Sequence, residues 1–143
     1  MRTHRRTTGS AMIEFALIAP LLLLLLAGVL DYSMALRTAI AVSDAARAGA
    51  HYGSLSQANA GDVAGMQAAA LNAVPNLTGM TVTAVRSCKC PNGSAVSCTG
   101  SCTGGGMSVF AEVTTQSTAQ NAFSYPGLSF SGAISAKAMM RAR

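Results

Sequence analysis

The stretch TTGSAMIEFALIAPLLLLLL, residues 7–26, decides the architecture, because it opens an apolar run long enough to cross a membrane. Residues 11–30 carry a single charge, the carboxylate of Glu14. Twenty helical residues cover about 30 Å, which is the thickness of a bilayer's hydrocarbon core. We therefore predict a transmembrane helix here, in which Pro20 removes one backbone hydrogen bond.

Basic residues lie where they would set the topology of this helix. The formal net charge of the chain is +5, and Arg2, Arg5 and Arg6 all precede the apolar run. By the positive-inside rule, this end stays in the cytoplasm and the residues after Asp31 are exported. A nucleic-acid-binding domain would instead concentrate its positive charge on a folded face with aromatic residues nearby. The pattern predicts a membrane partner and no nucleic acid.

Two ordinary explanations of the apolar run remain open. A secretory signal peptide would combine the basic start and the Leu-rich run with cleavage near Ser33-Met34-Ala35. A plain single-pass anchor would keep the whole N-terminus. Neither explanation accounts for Glu14 or for Gly9, since a carboxylate in an apolar segment is costly.

The N-terminal motif resembles the processing site of type IV prepilins and pseudopilins, in which a membrane peptidase cuts after a glycine. Over residues 9–53 the sequence is more closely similar to the TadE-like group, the minor pseudopilins of tight-adherence (Tad) pilus systems. The residues that carry the resemblance are Gly9-Ser10-Ala11-Met12-Ile13-Glu14-Phe15, Pro20 before the Leu run, Asp31-Tyr32, and the stretch from Asp44 to Ala50.

The resemblance implies a role for each part of the chain. Residues 1–9 would be a basic leader, 10–53 a transmembrane helix with an exported extension, and 54–143 a small exported domain. Gly9 and Ser10 would form the site cut by the prepilin peptidase, in the bacterial cytoplasmic membrane. Glu14 and Phe15 would serve subunit assembly, with Glu14 neutralising the Ser10 amine of a neighbouring subunit. The expected partners are other pilin subunits and the Tad assembly machinery.

Two alternatives to this assignment stay open at this point. The first concerns Glu14 alone, which would only reach back to the membrane interface without a partner. The second concerns the whole chain, which would be a single-pass, membrane-anchored binding module that is exported and unrelated to pili.

Beyond the membrane, small residues recur on one face of the same helix, which we expect to end near residue 52. They allow close approach either of the protein's own domain or of a partner helix. The members of this small-residue stripe are Ala35, Ala39, Val42, Ala46 and Gly49. On an adjacent strip, Leu36, Ile40 and Ser43 favour some burial within the protein.

The exported part has the pattern of a small α+β fold. We predict a loop over 54–61 and a second, short helix over 62–74, which Pro75 prevents from continuing. Alternating apolar residues then predict about three antiparallel strands, near 80–86, 107–116 and 129–141. The sheet should place one face against the exported helices.

Four cysteines lie between the first two predicted strands, and an exported compartment favours disulfides for them. A zinc site and free thiols are the alternatives, although the spacing of the cysteines departs from usual zinc sets. If the two strands form one hairpin, nested pairs fit best, namely Cys88–Cys102 and Cys90–Cys98.

The sequence contains no recognisable catalytic motif. Gly104–Gly106 lack the Lys-Ser/Thr that follows a phosphate-binding loop, and carboxylates are not paired at useful spacing. We predict that the protein is not an enzyme and that it holds no cofactor or metal.

Overall fold

The computed structural model describes residues 9–119 and 132–143, and it joins one long helix to a small α+β unit. The predicted fold class is confirmed, with one more helix and one more strand than expected. The elements are α1 (Ser10–Ser54), α2 (Gln57–Gly61), α3 (Val63–Ala73), β1 (Thr81–Lys89), β2 (Ala95–Val96), β3 (Ser108–Thr118) and β4 (Ala133–Arg141).

The four strands form one antiparallel sheet in the order β2-β1-β3-β4. Ala84, Val113 and Ala138 lie side by side on the face that packs against the helices. The predicted strand over 129–141 is confirmed from residue 133 onward, and its residues 129–131 lie outside the described part of the chain. One face of the sheet packs against the helices, as predicted from the alternation of apolar and polar residues in the three expected strands.

Helix α1 runs without interruption through Pro20 and ends close to the predicted position. Its second half packs on the protein's own domain. Val42, Ala46 and Gly49 are buried, and a Cβ added to Gly49 would lie only 2.8 Å from the Met66 carbonyl oxygen. The small-residue stripe therefore allows an intramolecular approach, which decides between the two alternatives for these three residues.

The expectation that Leu36 and Ile40 contribute to internal burial is wrong. Their side chains are 45% and 61% exposed, while Ser43 on the same strip is half-buried. The face of α1 that contacts the domain is narrow and carries mostly small side chains. Leu36 and Ile40 lie beside this face and therefore stay exposed.

The core is built from small side chains around one methionine. Met66 and Ala70 of α3 cluster with Ala111 and Val113 of β3 and with Ala45 and Ala50 of α1. Since these side chains bury little apolar area each, we expect burial alone to stabilise the domain only modestly.

Residues 57–61, which we expected to be a loop, form the short helix α2. The Ser56 hydroxyl caps it by accepting a hydrogen bond from the Asn59 backbone N–H, at 3.1 Å. Side-chain capping satisfies one of the free N–H groups of a first turn. Helix α3 begins directly afterwards and ends before Pro75, as predicted.

Candidate functional site

The predicted processing site lies at the very start of α1. Gly9 is exposed and precedes the first helical residue, Ser10, with φ −88° and ψ −28°. A Cβ added to Gly9 would meet no atom within 4 Å. Within the described part of the chain, the backbone at this position is therefore open to approach from outside.

The two predicted assembly residues occupy the next turns of the helix. Glu14 and Phe15 are both exposed, and 70% of Phe15 is accessible. Val42, the first buried residue of α1, follows Glu14 by 28 residues, which corresponds to about 42 Å along a helix. Glu14 thus lies far along α1 from the described part of the folded domain.

Between Glu14 and Asp31, α1 presents apolar side chains on every side. It is long and apolar enough to cross a membrane, and none of its most apolar 18-residue window is buried. The exposed large residues there are Met12, Ile13, Phe15, Leu17, Ile18, Leu21, Leu22, Leu23, Leu24, Leu25, Leu26, Val29 and Leu30. A helix that is apolar all round requires an apolar environment, which the described part of the domain does not supply for this segment.

All four cysteines form disulfides, but the pairing differs from the nested one. Cys88 bonds to Cys98 with a Cα–Cα distance of 5.2 Å, and Cys90 bonds to Cys102 at 5.6 Å. A zinc site of these four thiolates and free thiols are both excluded by these bonds.

The physical reason for the different pairing is the strand β2. After Cys90 the chain turns back and pairs Ala95–Val96 on the outer edge of β1, so that Cys88 lies opposite Val96. Cys98 therefore returns beside Cys88. The chain then crosses to the other side of β1 before β3 begins, and Cys102 lies on this return, beside Cys90.

The first disulfide belongs to a small second core. Cys88 is 2% exposed and packs with Ala60 of α2, Val109 of β3 and Ala142 after β4. This cluster fixes the segment between β1 and β3 to the part of the domain that surrounds the end of α1. The cysteines and the N-terminal motif thus lie in two separate parts of the molecule.

Comparison with known families identifies the N-terminal part of the chain. Residues 9–51 match the model of the family described as TadE-like protein. Over these residues the chain is similar to TadE-like proteins. No curated protein and no solved structure matches the chain.

The TadE-like segment coincides almost completely with α1. It begins at Gly9, covers the exposed apolar half, and continues along the buried stripe as far as His51. It therefore includes both the predicted processing residues and the surface on which the domain packs.

One link at the end of the TadE-like segment was missed by the sequence analysis. The Tyr52 hydroxyl donates a 2.8 Å hydrogen bond to Asp62 Oδ2, while Asp62 Oδ1 accepts the Gly65 backbone N–H at 2.9 Å. Asp62 thereby caps α3 and ties it to α1. The backbone hydrogen bond from Gly65, followed by that from Tyr52, lowers the pKa of Asp62. The sequence signal for this cap is an aspartate directly before the first residue of a helix, where its carboxylate can accept a free backbone N–H.

The described residues contain no group of three or more His, Cys, Asp or Glu side chains placed to hold a metal ion. The polar side chains that the structure brings together, such as Tyr52 and Asp62, hydrogen-bond to backbone groups and to each other. The features that distinguish this molecule are thus its exposed helix and its anchored domain.

Proposed function

We propose that the protein is a TadE-like minor pseudopilin that takes part in the assembly of a Tad-type pilus. The observation that carries the proposal is the coincidence of the TadE-like segment with an exposed apolar helix that is preceded by an exposed Gly9. Of the described residues of the folded domain, those nearest the apolar half face α1 from Arg37 onward, about 35 Å along the helix from Glu14. The proposed role of the protein is structural, because an apolar helix of this kind inserts into a membrane and packs against other subunits.

The proposed topology places the N-terminus in the cytoplasm and the domain outside the cytoplasmic membrane. Arg2, Arg5 and Arg6 before the apolar run support this orientation. The two disulfides support it independently, because disulfides persist in oxidising compartments and are rare in the cytosol.

Cleavage after Gly9 by a prepilin peptidase gives Glu14 a function. The cut creates a cationic amine on Ser10, and Glu14 becomes the fifth residue of the mature helix. In an assembly, the Glu14 carboxylate of one subunit would pair with the Ser10 amine of its neighbour. In an apolar surrounding, removing one partner of such a pair leaves an uncompensated charge, which is strongly unfavourable.

Mass spectrometry of the N-terminal peptide tests the processing step, using membrane extracts from cells with and without their prepilin peptidase. We expect a chain that begins at Ser10 only when the peptidase is present. A chain that keeps residues 1–9 in both strains would reject the proposal in favour of an anchored, exported binding module. A chain that begins near residue 36 would identify a cleaved signal peptide.

The replacement Glu14→Gln tests the pairing. We expect the variant to insert into the membrane normally and to be incorporated into the pilus assembly much less than the wild type. Asp44→Asn is the matched control, because Asp44 is an exposed carboxylate on the same TadE-like helix but outside the apolar half. Normal incorporation of Glu14→Gln would show that no such pair forms.

A further inference from the structure

We infer that the end of the domain nearest the apolar half of α1 binds an anionic lipid headgroup, with Arg37 as the cationic contact. The inference rests on the proposed function, because it requires α1 to be anchored in a membrane. An open groove of about 490 Å³ lies between α1 and the turn that follows α3. Arg37, Thr38 and Ala41 line one side, and Val74, Pro75 and Leu77 line the other.

The position of the groove along α1 matches the headgroup layer. Arg37 follows Leu30, the last residue of the apolar run, by seven residues, or about 10 Å of helix. The headgroup regions add roughly 5–8 Å to each side of the hydrocarbon core. Because a long basic side chain turns toward the interface, the Arg37 guanidinium reaches the level of the phosphates.

The chemistry of the groove also fits a phospholipid. Arg37 is exposed, and the one ion pair within residues 9–119 and 132–143 joins Lys137 to Glu112, elsewhere on the sheet. A guanidinium binds a phosphate through two parallel hydrogen bonds. Val74 and Pro75 supply apolar wall beside it, against which the glycerol and the upper acyl chain can pack.

Exposed apolar residues continue along α1 on either side of Arg37. Met34 and Ile40, each three residues from it on the helix, are 43% and 61% exposed. Apolar side chains around a single cation are favourable at a membrane interface and unfavourable in water. The surface around Arg37 therefore suits a lipid layer better than an aqueous one.

A fluorophore at a single new cysteine tests the site in the full-length protein held in lipid nanodiscs. All four native cysteines are in disulfides, so Asn76→Cys and Ala58→Cys each give one labelling position. Residue 76 lies in the groove, while residue 58 is on α2 and exposed. The probe lipid is phosphatidylglycerol with a spin-labelled headgroup, diluted in phosphatidylcholine.

We expect several-fold stronger quenching at residue 76 than at residue 58. Arg37→Gln should raise the phosphatidylglycerol fraction needed for half-maximal quenching about fivefold, the factor expected for one basic residue at an anionic surface. Arg47→Gln is the matched control, since Arg47 is exposed on the same helix about 15 Å further from the membrane. It should leave that fraction unchanged.

Three results would overturn the inference. These are equal quenching at residues 76 and 58, no effect of Arg37→Gln, or quenching that follows the number of protein copies per disc, which would indicate a second copy in the groove. Loss of the protein from the discs would overturn the anchoring itself, and with it the proposed function.

Discussion

The Thr115 hydroxyl donates a 2.7 Å hydrogen bond to the Val42 carbonyl oxygen, and both residues are fully buried. The bond joins the middle of β3 to α1 at the first buried residue of that helix. Thr115 is one of two buried polar side chains among the described residues. The contact ties β3 to α1 where the buried face of that helix starts.

Replacing Thr115 by Val should therefore lower the free energy of unfolding by about 1 kcal/mol, because a net buried hydrogen bond is lost while the volume is kept. Thr115→Ser keeps the hydroxyl and is the matched control for the donor. Denaturant unfolding of the detergent-solubilised protein measures both. A Val variant as stable as the wild type would show that the bond adds nothing to stability.

Gly53→Ala should destabilise the domain by roughly 1–3 kcal/mol, as overpacking of a filled core does. A Cβ at Gly53 would overlap the Ala111 methyl group and lie 2.6 Å from Met66 Sδ. Gly28→Ala is the control on the same helix, where a Cβ meets no atom within 4 Å. Thermal unfolding compares the two variants. Equal midpoints would mean that α1 does not lie as close to the sheet as described.

Stability should fall in acid through Asp62. Its pKa is lowered by the hydrogen bond from the Gly65 N–H and then by that from Tyr52, so its folded-state pKa lies below its unfolded value of about 3.9. The contribution is present above that unfolded value and is lost as the pH falls through the folded pKa.

Asp62→Asn should reduce this acid sensitivity, because the amide does not titrate. Unfolding midpoints measured between neutral pH and about pH 2 give the comparison. Asp44→Asn controls for the loss of one exposed carboxylate. An unchanged pH profile in Asp62→Asn would show that another group governs the acid limb.

Peptide mapping under non-reducing conditions should recover the Cys88–Cys98 and Cys90–Cys102 bonds. Trypsin cuts after Arg86 and Lys89, which isolates Cys88 on the tripeptide Ser87-Cys88-Lys89. A backbone break between Cys98 and Cys102 then leaves the two pieces joined by the Cys90–Cys102 bond, whereas in the nested pairing the pieces separate and the tripeptide stays with Cys102. Attachment to Cys102 would restore the nested pairing.

Removing the Cys88–Cys98 bond should lower the free energy of unfolding by about 2–4 kcal/mol.

Patterns repeated over many residues allowed accurate predictions. The long helix was expected over 11–52 and spans Ser10–Ser54, and the second was expected over 62–74 and spans Val63–Ala73. Both depend on apolar periodicity and on local stop signals, which are present in the sequence itself.

Features that depend on contacts between distant residues were not predictable in the same way. The two-residue strand β2 exists because it pairs with β1, and its sequence has too few residues to show a period. The disulfide pairing follows from that strand, so one missed element made the nested prediction wrong. The exposure of Leu36 and Ile40 follows equally from the narrow contact face of the domain.

In the N-terminal region, the sequence motif says more about the candidate site than the structure does. Gly9, Ser10, Glu14 and Phe15 were selected because their order resembles a processing signal. The structure adds that Gly9 is exposed and that Glu14 and Phe15 are exposed on the part of α1 that lies far from the described domain. Pairing between subunits involves a second chain, which a single chain's fold does not contain.

Because α1 is a single unbroken helix fixed to the sheet at Gly49 and Gly53, its two halves are mechanically coupled. Rotation of the apolar half about its axis turns the whole domain through the same angle. Withdrawal by one helical turn lifts the domain by about 5.4 Å. The molecule transmits torque and displacement along its length, so the orientation in which α1 packs determines which side of the sheet faces outward.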